Sequence, residues 1–190
     1  KDDESFETTV KLMAAEVLSQ IVTDKYLIPQ LRDGKGVYSI IHNASDAGIY
    51  LCTYRDPNVK ETFAIYESLP EQIRKLELTQ EDLDGYILSE YSLLAEPAGE
   101  LTGAMNAAAY ALSGTDQQKI VEQMKALKTL TPEKIAECLD LYEKLVEKGL
   151  RYTAGGMSGI NDNADMYDEI LNPFGAQDKS EMAFTDVSED

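Results

Sequence analysis

A chain of 190 residues, 43% of them hydrophobic, can bury one sizeable core, so a single main domain is expected. Its 17 Lys and Arg against 35 Asp and Glu give a net charge of −18, which leaves no basic face for phosphate contact and excludes a nucleic-acid partner. No apolar run reaches the roughly eighteen residues a membrane span needs, so no membrane partner is expected either. The start, Lys1-Asp2-Asp3-Glu4-Ser5, has no apolar stretch behind a basic one and no Met, so a signal peptide is not expected. The chain is expected to be a piece of something longer.

From Phe6 to Thr23, Val10, Met13, Ala14, Val17, Leu18 and Ile21 recur at three- and four-residue steps, which predicts an amphipathic helix. Thr23-Asp24 is read as a break, and Tyr26 to Leu31 as a short second helix made irregular by Pro29. The apolar period then changes. Val37, Tyr38, Ile40 and Ile41 form one short run, and Ile49, Tyr50, Leu51, Cys52 and Tyr54 another. With Asn43 to Gly48 between them, the two runs predict a β-hairpin. Gly34 and Gly36 bracket the helix-to-strand change, where a positive φ and a close backbone approach are needed. Asp56-Pro57 reads as N-cap and first helical residue of a helix burying Val59, Phe63, Tyr66, Leu69, Ile73 and Leu76, kinked or split by Pro70.

Leu78 to Asp82 starts another helix with Leu83, Ile87, Tyr91 and Leu94 on one side, ending before Pro97. Glu100 to Leu112 is rich in alanine and predicts a helix that approaches its neighbours closely. Ser113 to Asp116 ends it and caps the next, which runs to about Leu127. Thr131-Pro132-Glu133 opens a helix that buries Ile135, Cys138, Leu139, Tyr142, Leu145 and Val146 and stops at Gly149. Leu150 to Ala154 is a strand candidate, and Asn161 to Leu171 a last short helix. Residues 176–190 read as a mobile acidic tail beyond a single domain over 1–175. Roughly six to eight helices against three or more strands make this an α+β chain, with helices covering one face of a small antiparallel sheet.

Chemistry is sparse. The one histidine, His42, lies in the hairpin without an H-x-x-E-H partner and reads as structural or exposed. Cys52 and Cys138 read as buried free thiols in a reducing compartment. Gly155-Gly156-Met157-Ser158-Gly159 lacks the lysine of a phosphate loop and reads as a flexible turn. Glu81-Asp82 and Asp162/Asp165 are acids at helix starts, where the dipole accounts for them. No catalytic or metal-binding constellation is self-contained in the chain. Arg32, at a helix end, and Tyr38, opening a strand, remain as guanidinium and phenol donors for a peptide carbonyl. Each also has an ordinary structural reading.

The order Tyr26-Leu27, Arg32, glycine turn, Tyr38, hairpin and Thr53-Tyr54-Arg55-Asp56-Pro57-Asn58 resembles the last domain of the presequence proteases, a branch of the pitrilysin/insulinase zinc peptidases. Leu78 to Leu83, Tyr110 to Gly114, Leu130 to Glu133 and Ile170 to Phe174 match in the same register, so the resemblance runs from about Thr8 to Phe174. It implies a pitrilysin-superfamily (LuxS/MPP-like metallohydrolase) fold and a place at the C-terminus of a longer enzyme that degrades unstructured peptides. The zinc, its H-x-x-E-H ligands and the glutamate base would belong to the first domain of that enzyme, and no zinc is expected on this chain. The remaining domains and the peptide substrates are the implied partners, with a dimer of the isolated piece as one possible outcome. By position, Arg32 and Tyr38 match an arginine and a tyrosine that hold substrate near the scissile bond. The family's Gly-Gly-Ala-Tyr-Gly turn departs here to Gly34-Lys35-Gly36-Val37-Tyr38-Ser39, without the small residues beside Tyr38. Bacterial cytoplasm is the default location, with an organelle second. The reading from another class is a stand-alone acidic binding or scaffold domain.

Overall fold

Helix α1, Asp2–Val22, carries the core from Val10 onward: Val10, Met13, Ala14, Val17, Leu18 and Ile21 are all buried, as their spacing predicts, and Ala15 and Val22 join them. It packs against five elements, so over its C-terminal half the amphipathic stripe is widened to most of the circumference. A computed structural model describes residues 2–45, 47–95, 99–113 and 117–172. The chain divides into two compact units, Lys1–Gly149 and Leu150–Asp190.

In the first unit α1 does not break at Thr23. It winds directly into a π-helical segment, Thr23–Asp33, because the Thr23 hydroxyl donates back to the Ser19 carbonyl (2.7 Å) instead of capping a new helix. Pro29 lies within this segment; it has no N–H to give and crowds the carbonyl one turn back, and the wider winding accommodates it. Leu27 and Leu31 are buried on its inner side. The two glycines that follow divide the expected tasks. Gly36 has φ +74°, and a side chain on Gly34 would sit 3.1 Å from the Pro29 carbonyl oxygen.

Strands β1, Ser39–Ser45, and β2, Gly48–Tyr54, pair antiparallel from Ser39↔Tyr54 to Ser45↔Gly48. The expected six-residue break is therefore mostly strand; of the short connection, Asp46 lies outside the described residues. Ile40, His42 and Ala44 with Thr53, Leu51 and Ile49 form the inner face, toward α1 and helix α7 (Leu139–Lys148). Ile41, Asn43, Tyr50, Cys52 and Tyr54 face outward. Gly48 has φ +120°, which a side chain rarely tolerates. Gly48→Ala should therefore cost about 1–2 kcal/mol, read as a lower urea midpoint at unchanged slope.

Helix α2, Val59–Arg74, runs through Pro70 as one element, without the expected split; Pro70 is itself buried beside Leu69 and Ile73. Its start is two residues later than Asp56-Pro57 suggests. Helices α3, Gln80–Ala95, and α5, Gln117–Leu127, pack on one another and on α1. Helix α4, Glu100–Ser113, differs from expectation: Ala104 to Leu112 are exposed, so its small residues face solvent rather than a neighbour. The predicted cap at Ser113 to Asp116 falls mostly on residues outside those described. The helix expected from Pro132 to Gly149 is two pieces, α6, Pro132–Ala136, whose N-cap Thr131 accepts from the Lys134 N–H with its side chain, and α7, which has no side-chain cap. Ile135, Cys138 and Tyr142 are buried as predicted.

In the second unit, Leu150 to Ala154 is not a strand: Leu150 and Tyr152 are exposed and no ladder partner exists among the described residues. The helix expected over Asn161 to Leu171 contracts to a 3₁₀ turn, Ala164–Met166, and a short helix α8, Met157–Asn161, forms earlier, where a flexible glycine turn is predicted. Those residues bury no large side chain, so nothing rewards a longer helix. The predicted mobile tail lies outside the described residues. The described chain is thus mostly helical with a two-stranded antiparallel sheet, and no described helix is long and apolar enough to cross a membrane.

Candidate functional site

Arg32 and Tyr38 stand at the two ends of one turn. Arg32 closes the π segment, and its carbonyl accepts from the Gly36 N–H (3.1 Å), while the Leu31 carbonyl accepts from the Val37 N–H (3.1 Å). Val37 is buried and anchors the turn to the core. Tyr38 precedes the first paired residue of β1 and does not follow the alternation that would put it beside Ile40. A bend there, after the positive φ of Gly36, leaves it 63% exposed. Arg32 is exposed as well.

The ring of Tyr38 meets Tyr54 edge to face, with centroids 6.2 Å apart. The guanidinium of Arg55 lies 5.2 Å from the Tyr38 centroid and 5.5 Å from that of Tyr54. The side chain that reaches Tyr38 is therefore Arg55, which sequence spacing did not single out. Its signal in the sequence was its place in Tyr54-Arg55-Asp56-Pro57-Asn58.

Asp56 explains that stretch. One carboxylate oxygen accepts from the hydroxyls of Thr53 (2.8 Å) and Thr62 (2.6 Å), and the other from the Asn58 N–H (2.8 Å). It thus ties the end of β2 to the first turn of α2 as a knot, although it is not the N-cap, which is Asn58, whose side chain does not cap the helix. The Asn58 amide in turn donates to the Lys35 carbonyl (3.0 Å), holding the glycine turn against the end of the hairpin. Nearby, Tyr66 Oη is buried, and burial pushes its phenol up, with the Thr53 hydroxyl opposing.

His42 is structural. Its Nδ1 lies 3.0 Å from Thr23 Oγ1 and its Nε2 2.9 Å from Tyr142 Oη. The single Thr23 hydroxyl proton goes to the Ser19 carbonyl, so Nδ1–H donates to Thr23 and Nε2 accepts from Tyr142. The ring is neutral, lowered to about 4 by burial, with the Ser19 carbonyl opposing. Of the two thiols, only Cys138 is buried, and burial pushes it up to about 11; Cys52, on the outer face of β2, is exposed, because strand alternation places it opposite Leu51. Among the described residues no three His, Cys, Asp or Glu side chains converge as metal ligands.

The model of the PreP C-terminal domain family matches residues 4–149, ending where the first compact unit ends. Protein HypA of Clostridium perfringens is 24% identical over 158 residues, 83% of this chain but 16% of that protein. The mitochondrial presequence proteases of Mus musculus and Xenopus tropicalis are 29% and 30% identical over 113 and 112 residues, 59% and 58% of this chain and 11% of each enzyme. The chain thus spans a small part of the length of these relatives, and it belongs to the PreP C-terminal domain family.

Proposed function

We propose that this chain is the C-terminal part of a longer, presequence protease-like zinc peptidase that degrades unstructured peptides. In that reading it forms a wall of the substrate chamber in a pitrilysin-type fold, and Arg32 and Tyr38 hold the peptide backbone. The observation that carries the reading is a match to the family across the glycine turn and hairpin, with Arg32 and Tyr38 both exposed at the ends of that turn. The residues described here do not fit a zinc site, so the metal and the groups that work with it are assigned to the other domains of the same polypeptide. What this chain supplies is directional: a charged fork from Arg32 and a phenol donor from Tyr38, both suited to a carbonyl that gains charge as its bond is attacked. The match to a bacterial protein supports a bacterial setting, and the mitochondrial presequence proteases among the relatives keep an organelle as the second.

Peptide cleavage by the longer polypeptide tests this, comparing wild type with Arg32→Ala and Tyr38→Phe at equal zinc content. Each substitution should lower kcat/KM about tenfold or more without changing the melting temperature. Unchanged cleavage in both would return the two residues to a structural role. An inactive wild type with zinc bound would favour a non-catalytic binding domain instead.

A further inference from the structure

Tyr38 has little to hold it. It is 63% exposed, it precedes the strand ladder, and a positive-φ glycine two residues earlier loosens its approach. A side chain that must present its hydroxyl to a substrate needs a fixed ring. The contacts that fix it are the edge of Tyr54 and the guanidinium of Arg55.

Arg55 is itself an unusual residue. It has φ +51°, the one non-glycine with positive φ among the described residues. That left-handed conformation is strained for a side chain of this size and persists only where the surroundings enforce it. Here the enforcement is visible. Asp56 accepts from Thr53 on one side of Arg55 and from Asn58 and Thr62 on the other, so Arg55 sits inside a closed clamp. In a chain with twice as many acids as bases, a free arginine would be expected to find a carboxylate. Among the described residues its contacts are two phenol rings instead.

The geometry points to Arg55 as a positioning residue for Tyr38: the Asp56 clamp turns Arg55 into the left-handed conformation, and its guanidinium seats the Tyr38 ring against Tyr54 for substrate contact. The inference rests on Tyr38 contacting substrate, as proposed above, for its consequence but not for the contact itself. A flat cation over two ring faces is the element required. Lysine can keep the charge but not the plane that spans both rings, and glutamine keeps a smaller plane but no charge.

Two readouts test it. In this chain, ring-to-ring nuclear Overhauser contacts between Tyr38 and Tyr54, assigned with Tyr38→Phe, should be lost in Arg55→Gln and partly kept in Arg55→Lys, with the melting temperature nearly unchanged. In the longer polypeptide, Arg55→Gln should lower kcat/KM about fivefold, Arg55→Lys less, and neither should matter once Tyr38 is alanine. Ring contacts that persist in Arg55→Gln overturn the inference. So does a loss of cleavage that is the same with and without Tyr38, because Arg55 would then act by itself. If Tyr38→Phe and Arg32→Ala leave cleavage intact, the substrate-site reading fails, while loss of the ring contact in Arg55→Gln would still establish the seating of Tyr38.

Discussion

His42→Ala should lower the unfolding free energy by about 3 kcal/mol. The reason is connectivity. His42 joins β1 to the α1–π junction through Thr23 and to α7 through Tyr142, elements distant in sequence. Tyr142 is fully buried, so deleting the imidazole leaves its hydroxyl without an acceptor and opens a cavity beside it. The same ring makes stability depend on pH. An unfolded histidine takes up its proton near 6.5, whereas the folded ring resists until about 4. The unfolded state therefore binds more protons in that window, and stability is full above pH 6.5 and falls as pH drops toward 4. The window of roughly 2.5 units corresponds to about 3 kcal/mol. The wild-type advantage over His42→Gln, measured by urea unfolding, should shrink by about that amount between pH 7 and pH 4. A constant advantage across that range would mean that the ring is not held neutral by the fold.

Asp56→Ala should cost a similar amount, about 3 kcal/mol, by unfolding the knot between β2 and α2. Three donors lose their acceptor at once, and one of them, the Thr62 hydroxyl, belongs to a buried residue that water does not easily reach. Asp56→Asn should recover part of the loss, since the amide oxygen still accepts while its NH₂ faces donors. The consequence extends to function. Without the clamp nothing enforces the left-handed backbone of Arg55, so Asp56→Ala should also release Tyr38 from Tyr54. Urea midpoints give the first effect and the ring contacts the second. A variant as stable as wild type would show that these bonds merely replace equivalent bonds to water.

Much of this protein was legible in the chain itself. The spacing of Val10, Met13, Ala14, Val17, Leu18 and Ile21 determined a core helix, because three- and four-residue recurrence admits one buried face and these residues all reached it. The hairpin followed from its β-branched and aromatic runs, and Gly34 and Gly36 marked the turn because only glycine meets both the contact with Pro29 and a φ of +74°. The Tyr-Arg-Asp-Pro-Asn stretch marked the family before any geometry was known.

What local sequence could not decide was settled by packing. Thr23-Asp24 looks like a break, yet the Thr23 hydroxyl turned back to Ser19 and freed its oxygen for His42, one hundred residues from Tyr142. Pro70 looks like a helix breaker, yet burial against the core kept α2 whole. Leu150 to Ala154 has strand composition but, among the described residues, no partner to complete a ladder, and a strand exists only through its neighbours. The same holds for the candidate site. Arg32 and Tyr38 could be picked out by type and spacing, but the role of Arg55 depends on two rings that the hairpin register brings beside it, and no pattern in the linear sequence encodes that distance.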